Sequence, residues 1–229
     1  MKMYNNIELI TKDEHKEFGV ANVEGFAHAK ELTTSMITMS EYYQSCKNYP
    51  IVFAKNEEEG WFSVALLGLE KENKFLKDGE WKEDCYIPAY IRRYPFIYIK
   101  NEDNLLLGFD ADHKVSKEEA GERYFFDEEE NTTEFVSNVL NFMNQVQNST
   151  KATKEFIETL EELDLLEASN ITGTNAEGKE ISVTGFWVLK EEKLNELTQK
   201  NKTILCKKSY MQPITAHLIS LSNIQKLSK

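Results

Sequence analysis

The spacing of the apolar residues changes once along the chain, near residue 130, and that change limits what it can fold into. Before it they come in short runs rich in β-branched and aromatic residues: IVFA (51–54), WFSVALLGL (61–69), FIYI (96–99) and LLLGFD (105–110). Such runs suit strands, where successive side chains point to opposite faces. Turn signals separate them: the acidic KNEEEG after IVFA, Asp78-Gly79, and NEDN (101–104). Ser40 is placed to cap a short helix over 41–47. After residue 130 the spacing becomes helical. Thr132 precedes EFVSNVLNFMNQVQN, in which Phe135, Val136, Val139, Leu140, Met143 and Val146 fall at i, i+3, i+4 intervals. Ser149 or Thr150 is placed to cap a second helix, with Phe156, Ile157, Leu160 and Leu163 as its apolar set. Residues 168–189 read as a hairpin turning at Asn175–Gly178, followed by a short helix at 190–199 and a helical tail from Pro213. Strands first and helices later predict an α+β fold. We expect one domain over 1–229, a mostly antiparallel sheet from the first half plus the C-terminal hairpin, packed by helices from the second half.

The charge balance narrows the partners. A net charge of −12 gives no basic stripe for a nucleic-acid backbone and no attraction to anionic lipid. No run reaches the length of a signal peptide or a membrane span, so a cytoplasmic protein is expected. A leaderless export route to the cell surface would leave no mark in the sequence. The three cysteines, Cys46, Cys85 and Cys206, lie far apart with no CxxC spacing, which predicts reduced thiols rather than a disulfide framework or zinc site. No cofactor or metal is expected.

The segment CYIPAYIRRYPFIYI (85–99) is the most unusual stretch. It holds two of the four prolines, four of the ten tyrosines and two of the three arginines. Pro50 and Pro95 each precede an aliphatic and aromatic run, so both mark the start of a strand. In FIYI both faces are apolar or aromatic, which predicts a central strand covered on both sides. Arginine offers a planar fork for carboxylate or phosphate and stacks on aromatic faces. One reading is an anion grip in a Tyr-lined cleft, built from Arg92, Arg93, Tyr90 and Tyr94 with His217 as an acid-base group. If residues 89–93 are extended, only one arginine enters a given pocket. The other reading pairs one arginine with a buried acid such as Asp110 and lays the other over a tyrosine.

Other constellations are weaker. Asp110, Asp112 and His113 with His217 could be drawn as a two-histidine, one-carboxylate metal site, but so short a match is common by chance. Cys85 or Cys206 with His217 has no nucleophile signature around it. Cys46 fits packing, and the acidic run 127–130 fits the N-terminus of the helix that follows it.

The pieces YPIVF (49–53), VALLGLEKENKFLKDGEW (64–81), YIPAYIRRYPF (86–96), LLLGFD (105–110), GERYFFDEEE (121–130), FIETLEELDLLEA (156–168), TGFWVL (184–189) and AHLISLSNIQKL (216–227) resemble the bacterial SapC family. The resemblance covers about residues 28 to 227 and leaves 1–27 as an N-terminal extension. It implies association with a bacterial surface layer and brings no catalytic residues with it. The first functional expectation is thus a non-enzymatic accessory or binding protein of surface-layer or envelope physiology, with a protein or peptide partner. The second is a binder of an anionic small molecule, or an enzyme, using the Tyr/Arg cleft. A binding module should expose a broad apolar patch, whereas an enzyme should show a deep pocket with convergent polar groups beside the arginines.

Overall fold

The computed structural model describes residues 3–58, 60–69, 72–102, 104–174 and 180–227. Its largest sheet has five antiparallel strands in the order Leu166–Thr174, Glu180–Leu189, Ile51–Asn56, Gly60–Leu66, Thr34–Met36. The hairpin expected over 51–69 is its centre, with Val52 opposite Val64. The C-terminal hairpin completes the sheet by setting Trp187 against Phe53; its expected turn at Asn175–Gly178 lies outside the described residues. A second sheet has three strands, Ile7–Leu9, Asn104–Asp110 and Phe96–Asn101. Two-stranded ribbons join Phe18–Val20 to Lys114–Ser116 and Leu76–Lys77 to Glu80–Trp81. Asp78 and Gly79 turn the second ribbon at φ +53° and +86°, the left-handed geometry that such a two-residue turn demands. The fold is α+β.

Each sheet has its own core. Phe53, Leu66, Phe156, Ile157 and Leu160 belong to the larger one, and Phe109, Phe125 and Val136 to the smaller. A single helix, Glu134–Glu162, spans both and replaces the two helices expected from the periodicity. Its N-terminal half packs Val136 on the small core and its C-terminal half packs Phe156 and Ile157 on the large one. The apolar stripe changes face between the halves, and this change imitates a boundary in the sequence. Thr150 and Thr153, near the expected cap, return their hydroxyls to Val146 O (2.9 Å) and Ser149 O (2.6 Å) inside the helix. Satisfied that way, they no longer compete with the helical backbone. The cap at the true start is Thr133, whose Oγ1 accepts from Val136 N.

Other expectations shift. FIYI lies on an edge strand, with LLLGFD central in the three-stranded sheet. The FIYI strand is not covered on both sides: Phe96 is buried against Phe135 of the long helix, whereas Ile97, Tyr98 and Ile99 are half-buried and Ile97 and Tyr98 border a groove. The residues 3–27 are drawn into the fold: Ile7–Leu9 and Phe18–Val20 pair with strands in 104–116. Both are three residues long, too short for a sequence pattern to announce them. The tail helix begins at Met211, two residues before Pro213, which stays within the first turn where its missing N–H has no intrahelical acceptor to lose.

Candidate functional site

The segment 86–93 is held by a carboxylate that the sequence reading passed over. Glu41 is buried. Its Oε1 accepts from Ala89 N (2.7 Å) and Tyr86 Oη (3.0 Å), and its Oε2 accepts from Thr38 N and Thr38 Oγ1, both at 2.8 Å. Thr38 and Glu41 form a capping box, so Thr38 takes the capping role expected of Ser40. The same carboxylate then caps the N-terminus of a second element, the short helix Ala89–Arg92. Residues 89–92 are therefore helical, not extended. Pro88 leads into that turn, and the acid supplies Ala89 N–H with the acceptor that its own turn lacks.

Neither arginine pairs with Asp110. That carboxylate, fully buried, takes Asn5 N (2.9 Å), Asn6 N (3.1 Å), Asp112 N (3.3 Å) and Tyr94 Oη (3.0 Å). Burial pushes its pKa up, but the Asn5 and Asn6 amides and the Tyr94 hydroxyl outweigh it and the pKa is lowered. Both arginines lie over tyrosines instead. Arg92 is exposed, donates to Ile87 O and Tyr86 Oη, and sits over the rings of Tyr86 and Phe142. Arg93 is half-buried, with its guanidinium 4.0 Å from the centre of the Tyr90 ring and 6.0 Å from that of Tyr4. Its Nε donates to Tyr4 Oη at 3.2 Å, and Tyr4 in turn donates to Phe96 O at 2.7 Å. Burial, opposed by Arg93, pushes the Tyr4 pKa up to about 12, so this hydroxyl keeps its proton. Among the described residues no carboxylate forms an ion pair with Arg93.

Arg93 and Tyr90 open onto a groove of about 650 Å³ between the two sheets and the long helix. Its walls are apolar and aromatic: Trp61, Phe62, Ile97, Tyr98, Leu105 and Met143. Its charged lining is Arg93, Lys100, Lys151 and Lys154 against Glu58 and the fully hydrogen-bonded Glu41. In a chain of net charge −12 this is a locally cationic place. It presents a fixed guanidinium, flexible ammonium groups and apolar surface, the combination that holds an anionic group attached to an apolar body.

The five residues expected in one cleft are divided by the fold. Arg93 and Tyr90 share the groove, and Arg92 lies outside it on the surface. Tyr94 lines a separate cavity of about 440 Å³, stacked at 4.1 Å on His28 and hydrogen-bonded to His113 Nε2 at 2.9 Å. Burial, reinforced by Asp110, raises its pKa, so Tyr94 donates to Asp110 and accepts from His113. Among the described residues no three His, Cys, Asp or Glu side chains converge as a metal site. His217 is in the large core at 0% exposure, stacked 4.6 Å from Phe53, with Nε2 accepting from Leu189 N at 3.1 Å. Burial pushes its pKa down to about 4, so it stays neutral. Its place is structural: Nε2 satisfies the Leu189 N–H and the ring stacks on Phe53, while the buried Nδ1 is left without a hydrogen-bond partner among the described residues.

Tyr4, Glu41 and Lys100 were not anticipated as parts of this region. The T-x-x-E spacing of Thr38 and Glu41 was a legible signal for the capping box. Nothing local announces Tyr4, which meets Arg93 across 89 positions.

No curated protein and no solved structure matches the chain. The SapC family matches residues 10–227, nearly its whole length and starting well before residue 28. With an α+β fold over the same span and the YIPAYIRRYPF segment locked at its centre, the chain belongs to the SapC family.

Proposed function

We propose that this is a non-enzymatic binding protein of bacterial surface-layer or envelope physiology, and that it holds a carboxylate of a protein or peptide partner in the Arg93 groove. The observation that carries the reading is the half-buried guanidinium without a carboxylate partner among the described residues, clamped by Tyr4 and Tyr90 on the wall of an apolar, cation-lined groove. A guanidinium fixed in advance loses little freedom on binding, which favours a grip on a planar anion. The groove's other buried ionisable group, Glu41, has its oxygens occupied by structural donors, so the groove offers holding rather than proton transfer. The surface-layer part of the reading rests on what resemblance to the SapC family implies.

Titration with acidic and amidated forms of one apolar peptide, read by thermal shift and calorimetry, tests this reading. The acidic form should stabilise the wild type by about 2.7 kcal/mol at 100 times its dissociation constant. Arg93→Ala should abolish the shift, Arg93→Lys should recover only part of it, and Arg92→Ala should leave it intact. Equal responses to the two peptides, or equal losses from both arginine variants, would remove the groove from the function.

A further inference from the structure

A second groove lies on the opposite face of the long helix, and its chemistry differs. It measures about 910 Å³ and runs between Tyr42–Cys46, Ser149 and Ala152 of the long helix, and the tail helix Met211–Ser220. The tail helix turns Ile214 and His217 into the core. Met211, Thr215 and Ile219, spaced at i, i+4 and i+8, form a seam that lines the groove. Three of the most exposed large apolar side chains of the molecule lie here: Tyr43 at 73%, Ile219 at 56% and Met211 at 42%. Exposed apolar side chains gathered in one concave place mark an interaction surface.

Charge says what covers it. No acidic residue lines the groove among the described residues, and Lys208 does. The ammonium of Lys47 stands 5.2 Å over the Tyr43 ring, and Lys226 donates to the carbonyl of Lys47. The sequence from 197 to 229 holds six lysines and no acidic residue, although the whole chain carries −12. We infer that this groove receives an amphipathic helix of a partner protein, with its apolar side chains on the Tyr43–Met211–Ile219 seam and its acidic residues facing Lys47 and Lys208. Helix-in-groove recognition uses such a seam, and methionine and tyrosine are suited to it. A second copy docked by two-fold symmetry would set one lysine-bearing, acid-free groove lining against another, which pairs like charges. A lipid surface is also anionic, but it is flat, and helices wall this groove on two sides.

The site is separate from the Arg93 groove, and the inference does not depend on it. The probe is a labelled peptide of about 18 residues, five helical turns, with leucine at i, i+3, i+4 and i+7 and glutamate elsewhere. Its control carries lysine in place of glutamate. Fluorescence anisotropy should show the glutamate peptide binding at least about tenfold more tightly than the control, and less tightly as salt is raised. Ile219→Glu and Tyr43→Glu, both at exposed positions, should each weaken it about tenfold or more, while Arg93→Ala should change nothing. Equal binding of the two peptides, or binding that survives both groove variants, overturns the inference. So does self-association of the wild type that Ile219→Glu abolishes, which assigns the groove to a second copy. Binding to phosphatidylglycerol vesicles that Ile219→Glu abolishes assigns it to a membrane surface.

Discussion

The two grooves share a partition and differ in almost everything else. Between them runs Thr38–Glu41, pinned to the long helix where Met39 N donates to Thr153 Oγ1 at 2.8 Å. Thr38 and Glu41 line the Arg93 side, and Met39 and Ser40 line the tail-helix side. On the Arg93 side a buried carboxylate fixes the backbone, the backbone fixes the guanidinium, and two tyrosines fix its plane. On the tail-helix side there is exposed apolar area, and Lys208 is the charged residue in the lining among the described residues. Directional bonds select what binds, and apolar area supplies strength with little orientation. One short segment thus supports a groove built on directional bonds on one side and a groove of exposed apolar area on the other.

The comparison can be broken most severely at Glu41. Glu41→Ala leaves Ala89 N, Tyr86 Oη and Thr38 N without their acceptor and should cost roughly 4 kcal/mol in denaturant unfolding. A loss under about 1 kcal/mol, no larger than at a surface position, would mean that water replaces the carboxylate and that the partition is not built as described.

The next effect separates the grooves from the core behind the tail helix. His217 has a folded pKa of about 4, against an unfolded value near 6.5. The unfolded chain therefore binds the extra proton first. The stability is full above pH 6.5 and falls as pH drops toward 4, by about 3 kcal/mol in all. Melting temperature followed from pH 7 to 4 should decline more steeply in the wild type than in His217→Gln. Parallel declines would assign the acid sensitivity to other groups.

Arg93→Ala should cost about 1 kcal/mol, the sum of stacking on Tyr90 and one hydrogen bond to Tyr4. A much larger loss would make Arg93 a structural tie, not a grip. Ile219→Glu should be smallest, within about 0.5 kcal/mol, because the position faces water in the free protein. A larger cost would show that the seam is packed in the free chain and leaves no surface for a partner.

Several elements were legible without coordinates. The Ile51–Leu66 hairpin, the Asp78-Gly79 turn and the strand starts after Pro50 and Pro95 rest on local conformational preference. The helical half was legible from periodicity, although its boundary was misread because Thr150 and Thr153 turn inward. In the arginine segment the stacking of an arginine on a tyrosine agrees with one sequence reading, whereas the pairing with Asp110 and an extended backbone over 89–93 are not what the fold has. Helix 89–92 exists because of an acid 48 positions away in sequence, and no window of neighbouring residues contains that acid.

The sequence by itself therefore determined the α+β class, the strand and helix inventory in outline, and the family, because propensity, periodicity and motif are properties of adjacent residues. Tertiary structure decided which charged groups meet. It placed Glu41 under Ala89, gave Asp110 to Asn5 and Asn6, put Tyr4 over Arg93 and buried His217 against Phe53. Those pairings depend on which atoms the packed cores leave within hydrogen-bonding reach, and only the folded chain sets those distances.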